Sequence, residues 1–270
     1  MVYHLQGCTL RCPWCSNPEG IPNPPPFLIK KDLLLDDVCP YGAINHNQID
    51  RNVCASCLDY ICQTKKRNEG ITIKCQEYEI SEIINEVLQA KSLFFDGGGI
   101  TLTGGEPTLQ YQEVLELLKT LKSIGIHTAI ETNGTSNKLF PLTQYIDQII
   151  IDFKHPDSEK HLNLLGLDNQ QVKRNIQQII SNGKKIYIRI PLINGFNTSK
   201  DTIKGFIAFF KTLNPENFCL ELLPFHEYGK IKWEQCGMAY QMDDSAYVEE
   251  SMLKQINQLF YSSGFEIIST

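Results

Sequence analysis

Cys8, Cys12 and Cys15 lie in the run GCTLRCPWCSNPEG at C-x3-C-x2-C spacing, so three thiolates fall within eight residues and can wrap one inorganic cluster. A cubane has four irons, and this run offers no fourth Cys at ferredoxin spacing. One iron is thereby left open to a substrate or cofactor, the distinction that separates a catalytic metal site from a closed structural one. A zinc knuckle is another reading of the same residues, although zinc sites usually repeat C-x2-C pairs and need four ligands. Reduced thiols packed in a core are a third, but Arg11 and Pro13 interrupt the apolar period that such packing uses.

Further along, polar residues recur where apolar runs end. Gly104 and Gly105 let the backbone approach a ligand closely, and Glu106 adds a carboxylate beside them. Taken alone, that run is equally a plain turn. Asp152 and Lys154 of DFK share one face of a strand, because side chains alternate along it. They read either as ligands or as an exposed ion pair contributing little. Arg189 stands in the otherwise apolar IYIRIPL, where an unpaired guanidinium is costly to bury. It requires a carboxylate, from a ligand or from a neighbouring Glu.

The cysteine trio followed by TGGEP resembles the radical S-adenosylmethionine (SAM) superfamily, and the form CPWCSNPEG is similar to the activating enzymes of glycyl radical enzymes. The resemblance implies a 4Fe-4S cluster on Cys8, Cys12 and Cys15, with SAM chelating the open iron through its amino and carboxylate groups. Trp14 is then the aromatic residue before the third Cys, and Gly104, Gly105 and Glu106 meet the amino group of the SAM methionine. It further implies SAM contacts at Asn17, Glu131, Thr132, Asp152, Lys154 and His226, and at Arg189 through the SAM carboxylate. Glu131, Thr132 and Asp152 are also able to coordinate a monovalent cation there. Without the resemblance, a lone His such as His226 is more often structural. The implied activity is one-electron cleavage of SAM to a 5'-deoxyadenosyl radical, which abstracts hydrogen from a glycine α-carbon of a separate glycyl radical enzyme. Flavodoxin or ferredoxin is the implied electron donor. By the same resemblance, a leading segment with a Gly-rich turn usually precedes the first strand.

A second group of cysteines, Cys39, Cys54, Cys57, Cys62 and Cys75, follows in a region with little apolar periodicity. The segment CPYGAINHNQIDRNVCASC resembles a piece of a bacterial two-cluster ferredoxin, in which the last Cys of each motif, followed by Pro, ligates the other motif's cluster. On that likeness Cys39 joins Cys54, Cys57 and Cys62 in a second 4Fe-4S cluster, and Cys75 is orphaned. Cys57 and Cys62 are separated by four residues where the ferredoxin has two, so zinc on the same four Cys stays open. Cys219 and Cys236 have no partner at metal spacing and read as small hydrophobes.

The elements that must hold these groups are legible from periodicity. Residues 1–7 read as a strand delivering the cysteine run. Five prolines from Pro18 to Pro26 remove backbone donors and read as a linker out of the core. Beyond residue 78 helix and strand signals alternate. Ile80, Ile83, Ile84, Val87 and Leu88 are spaced as one buried helical face. Asp96-Gly97-Gly98-Gly99 reads as a turn, without the Lys-Ser/Thr of a phosphate loop. Strands are expected at 100–103, 127–132, 148–153, 185–191 and 218–223. Helices are expected through Val114, Leu115, Leu118 and Leu121, through Val172, Ile176, Ile179 and Ile180, through Ile203, Phe206, Ile207 and Phe210, and over about 245–261.

Repeated strand-helix units imply parallel strands with right-handed crossovers. With the strand before Cys8 there are six, short of the eight in a closed barrel. A doubly wound sheet has the same period, but polar motifs follow nearly every strand, where barrel active sites assemble. The expected architecture is therefore α/β: a partial (β/α)6 TIM-type barrel over 1–26 and 78–270, with a Cys-rich ferredoxin-like insert over 27–77.

Composition narrows the function. The chain has 270 residues, 42% hydrophobic and 21% charged, ordinary for a soluble globular enzyme. No apolar run reaches the ~18 residues of a membrane span, and no signal peptide is apparent. A net charge of -6 gives no electrostatic case for nucleic acid or an anionic membrane. Seven of the ten Cys precede residue 63 at cluster-like spacings, which points to ligation in a reducing, cytoplasmic setting. Two alternatives remain: a radical SAM enzyme acting on a small molecule or peptide, and a non-catalytic iron-sulfur electron-transfer protein. The last leaves GGEP, DFK, Arg189 and His226 without a purpose.

Overall fold

The apolar runs pair in the order in which the chain presents them. A computed structural model describes residues 1–35, 39–46, 48–55, 57, 61–64, 69–73, 75–95 and 97–268. In it β1 (Val2–Leu5), β2 (Gly99–Gly104), β3 (His127–Thr132), β4 (Gln148–Asp152), β5 (Ile186–Leu192), β6 (Phe218–Pro224) and β7 (Ile267–Ile268) form one sheet in sequential order. Every neighbouring pair is parallel. A doubly wound sheet reverses its strand order at a switch point, and this sheet has no reversal, the progression of a partial barrel.

One strand of this sheet is not marked by the sequence. The last, β7, pairs with β6 only through Leu220↔Ile267 and Glu221↔Ile268, too short to carry a period-2 signal.

The outer layer contains α1 (Ile80–Ala90), α2 (Tyr111–Ser123), α3 (Ser158–Leu165), α4 (Gln170–Ser181) and α5 (Lys200–Phe210); α6 (Lys230–Gln235) packs on Pro18–Gly20 and Phe27–Ile29, and α7 (Glu250–Ser262) returns to the layer. On α4 the expected face, Val172, Ile176, Ile179 and Ile180, is buried throughout against the sheet. Each such side chain contributes about 1.5–3 kcal/mol of burial. The expected face of α1 holds except at Leu88, 46% exposed, because the stripe narrows to Val87 at that turn. Expected from about 245, the last helix instead begins at Glu250, since Asp243 caps a separate turn over Asp244–Ala246. Asp96 of the expected turn lies outside the described residues, while Gly97 takes φ +92°. Among the described residues no helix is long and apolar enough to cross a membrane.

Between Phe27 and Ile73 the described residues include a small second core. Phe27–Ile29 pairs antiparallel with Ile71–Ile73, closing the segment at its neck. Ile29, Leu34, Ile44 and Ile71 are buried together beneath it. The proline-rich approach differs from a free linker: Pro18–Gly20 forms a single 3-10 turn, and Gly20 and Ile21 are buried against the cysteine run.

Candidate active site at the strand ends

The cysteine run is held by backbone hydrogen bonds to its neighbours. Gly105 N–H donates to Leu5 O at 2.8 Å and Glu106 N–H to Gly7 O at 2.7 Å. Gly7 N–H donates to Gly20 O at 2.9 Å, and Cys8 N–H to Ile21 O at 3.0 Å. What Gly104 and Gly105 admit is thus the chain itself. A Cβ at 105 would sit 1.9 Å from Gly7 O, and one at 104, where φ is +121°, 2.3 Å from Leu5 N. On the far side Trp233 of α6 donates its indole N–H to Cys15 O at 2.9 Å. Arg11 N–H reaches Leu165 O, the end of α3, at 3.0 Å.

Glu106 ties two strand ends together. Fully buried, its carboxylate accepts from Thr108 N–H at 3.1 Å and Thr108 O–H at 2.6 Å. Thr132 O–H reaches both oxygens at 2.8 and 2.9 Å, and Asn133 N–H donates at 2.8 Å. Burial raises its pKa, and the Thr108, Asn133 and Thr132 donors work against that rise.

Asn133, from the ETNG run, had no assigned role. Its amide donates to Thr9 Oγ1 at 3.0 Å and reaches Cys8 Sγ at 3.7 Å, a weak N–H···S contact. Groups that hold a metal's ligands typically matter at the level of 10–100-fold. On the expectation from the sequence that Cys8 is a cluster ligand, Asn133→Ala should slow SAM cleavage roughly tenfold. Iron content at full occupancy should stay unchanged, as quantified by iron assay and 5'-deoxyadenosine yield.

The DFK pair departs from an exposed ion pair. Lys154 is buried and donates from Nζ to Asp152 Oδ2 at 2.5 Å. Burial alone would lower its pKa, but the Asp152 carboxylate and the Cys12 and Cys8 thiols outweigh it and raise it. Lys154 acts on all three thiols, lowering the pKa of each against the rise that burial causes. Burial pushes Cys12 up to about 12 and Cys15 to about 11, so ligating iron must displace protons.

Arg189 finds its carboxylates inside the chain. Register pairs it with Asp152 on β4 and Glu221 on β6. Its Nε binds Glu221, and Nη1 lies 2.9 Å from Glu131 Oε1. Glu131 also accepts from Thr103 O–H at 3.0 Å. Glu221, 3% exposed, was passed over in the sequence although it interrupts the apolar FCLELL.

The other expected contacts spread around the rim. Trp14 packs on Phe196 with ring centroids 5.2 Å apart. Asn17 Oδ1 accepts from Lys232 Nζ at 2.7 Å. His226 is half-buried and stacks on Tyr228 at 4.1 Å. In the small second core, Cys39, Cys54, Cys57 and Cys62 all line one apolar pocket with Phe27, Ile44 and Ile71, and Cys75 is absent from its lining. Cys219 and Cys236 are buried.

Three free thiols beside one buried ammonium, on a loop already fixed by hydrogen bonds, fit a thiolate-ligated cluster. Comparison with known proteins agrees. Over 96% of its length the chain is 32% identical to the 4-hydroxyphenylacetate decarboxylase activating enzyme of Clostridioides difficile, covering 87% of that protein. It is 30% identical to the choline trimethylamine-lyase activating enzyme of Oleidesulfovibrio alaskensis, covering 97% of the chain and 90% of the relative. The crystal structure of a domain of pyruvate-formate lyase-activating enzyme from Bacteroides vulgatus superposes with a TM-score of 0.52 at 27% identity, covering 64% of this chain and 98% of that one. Residues 2–207 match the family model of the radical SAM superfamily. That span takes in the cysteine loop and the strand ends through β5, and the chain belongs to the radical SAM superfamily.

Proposed function

We propose that this protein installs a glycyl radical on a partner enzyme, with a 4Fe-4S cluster held by Cys8, Cys12 and Cys15 and SAM at its open iron. The observation that carries the reading is the trio of free thiols at the strand ends, in a chain whose relatives at 32 and 30% identity are activating enzymes. When bound, the cluster and SAM supply the reductive cleavage that yields a 5'-deoxyadenosyl radical. The chain's own residues bind, orient and exclude water.

In this reading Lys154 keeps positive charge beside the sulfurs, and Asn133 orients Cys8. Gly104, Gly105 and Glu106 fix the floor under the SAM methionine, through backbone held by the Glu106 carboxylate. Glu131, Thr132, Asp152, Arg189, Asn17, Trp14 and His226 complete the SAM pocket. Arg189 meets SAM as part of its ion pair with Glu131 and Glu221. Glu131, Thr132 and Asp152 are the candidate ligands of a monovalent cation. The insert over 27–77 holds a second 4Fe-4S cluster on Cys39, Cys54, Cys57 and Cys62, supported by the single apolar pocket these four share. A flavodoxin or ferredoxin delivers the electron, in a reducing cytoplasm.

The test is anaerobic reconstitution, iron and sulfide counting, and incubation with SAM, reductant and candidate glycyl radical enzymes. About eight irons per chain and a glycyl radical signal in one partner, with 5'-deoxyadenosine formed alongside, are expected. About four irons with one zinc would remove the second cluster. Steady 5'-deoxyadenosine formation on a small substrate, with no radical in any partner, would overturn the activase reading.

A further inference from the structure

The sequence attached no role to the short helix after β6, yet it touches both cysteine groups' surroundings. On one side α6 seats the loop of Cys8, Cys12 and Cys15. Trp233 donates to Cys15 O at 2.9 Å, and Lys232 binds Asn17 Oδ1 at 2.7 Å and Glu19 Oε1 at 2.8 Å. Gly229, just before the helix, lies so close that a Cβ there would sit 2.4 Å from Cys15 O.

On the other side the same helix receives the insert. Arg51 opens the helical turn Arg51–Ala55 that carries Cys54. Its Nη1 donates to Phe27 O at 3.0 Å, and its Nη2 crosses to Gln235 O, the last residue of α6, at 2.6 Å. Lys31 reaches Glu234 of the same helix at 3.3 Å. Gly237 leaves room for the guanidinium, since a Cβ at that position would meet Arg51 Nε at 2.2 Å. From Cys54 to Cys15 there is thus a path of covalent bonds interrupted by two hydrogen bonds, both ending on α6.

We infer that α6 is the route by which an electron passes from the insert to the SAM-binding cluster, with Arg51 and Trp233 as positioning residues at its two ends. This rests on the reading that the insert holds a redox cluster. One electron leaves the reduced insert centre, which is oxidised, and enters the oxidised cluster on Cys8, Cys12 and Cys15, which is reduced; no proton or atom moves. A low-potential one-electron protein donor refills the insert. Electronic coupling falls faster through empty space than through bonds, so removing either hydrogen bond lengthens the weakest part of the path.

The experiment is freeze-quench electron paramagnetic resonance on the fully reconstituted protein with SAM, mixed with reduced flavodoxin, reading the arrival of the electron at the SAM-bound cluster. Arg51→Lys and Trp233→Phe are each expected to slow that arrival relative to the parent protein. Iron content and the end point reached with excess dithionite should match the parent protein. Should either variant lose iron, Gly237→Ala decides, because it displaces the guanidinium without deleting it. Unchanged arrival rates in these variants, alongside slowing in Cys54→Ala/Cys57→Ala, would overturn the α6 route and leave the second cluster standing. Unchanged arrival in the double cysteine variant would instead remove the relay role of the insert.

Discussion

Cys12→Ala is expected to abolish 5'-deoxyadenosine formation from SAM at every reductant concentration, while the barrel stays folded. Two thiolates cannot hold a cubane with a defined open corner. The cost to stability is small. Cys12 is 9% exposed and packs beside Leu10 and Leu165, so truncation to Ala removes one sulfur and leaves a cavity costing about 1 kcal/mol. Deoxyadenosine quantification, iron counting and a urea titration separate the two effects. Persistent cleavage would remove Cys8, Cys12 and Cys15 from their assigned role.

The second large effect is on stability. Arg189→Met should destabilise the protein by about 3–5 kcal/mol, the usual consequence of leaving a buried charge without its partner. Glu221 is 3% exposed and Arg189 is its partner on the adjoining strand, with Glu131 on the guanidinium's other arm. Adding Glu221→Leu to Arg189→Met should recover part of the loss, because the buried carboxylate no longer has to be held without the guanidinium. Equilibrium unfolding in urea measures both. An Arg189→Met variant within about 1 kcal/mol of the parent would mean that the ion pair contributes little.

The sequence and the structure agree where the signal is local. The apolar stripes of α4 and α5 each occupy a short window, and each lands as expected. What escaped is carried by contacts distant along the chain. Trp233 meets Cys15 across 218 positions and Asn133 meets Cys8 across 125, and no periodicity encodes such meetings. Nothing local marks Glu221, and it is register that sets it beside Arg189. The two glycines were expected to clear room for a ligand. They clear it for Leu5 and Gly7, because β1 runs alongside β2 at that height. The pair Asp152 and Lys154 was expected on one face, but alternation does not foretell that Lys154 is buried while the Asp152 side chain stays 36% exposed.

The hydrogen bonds around Gly7, Gly20 and Gly105 carry a consequence for metal removal. In zinc fingers the ion organises the polypeptide, and chelators unfold it. Here the loop is tied to its neighbours by amide and carbonyl groups that use none of the thiols, so a chelator is expected to leave the barrel folded, with a urea midpoint close to that of the untreated protein.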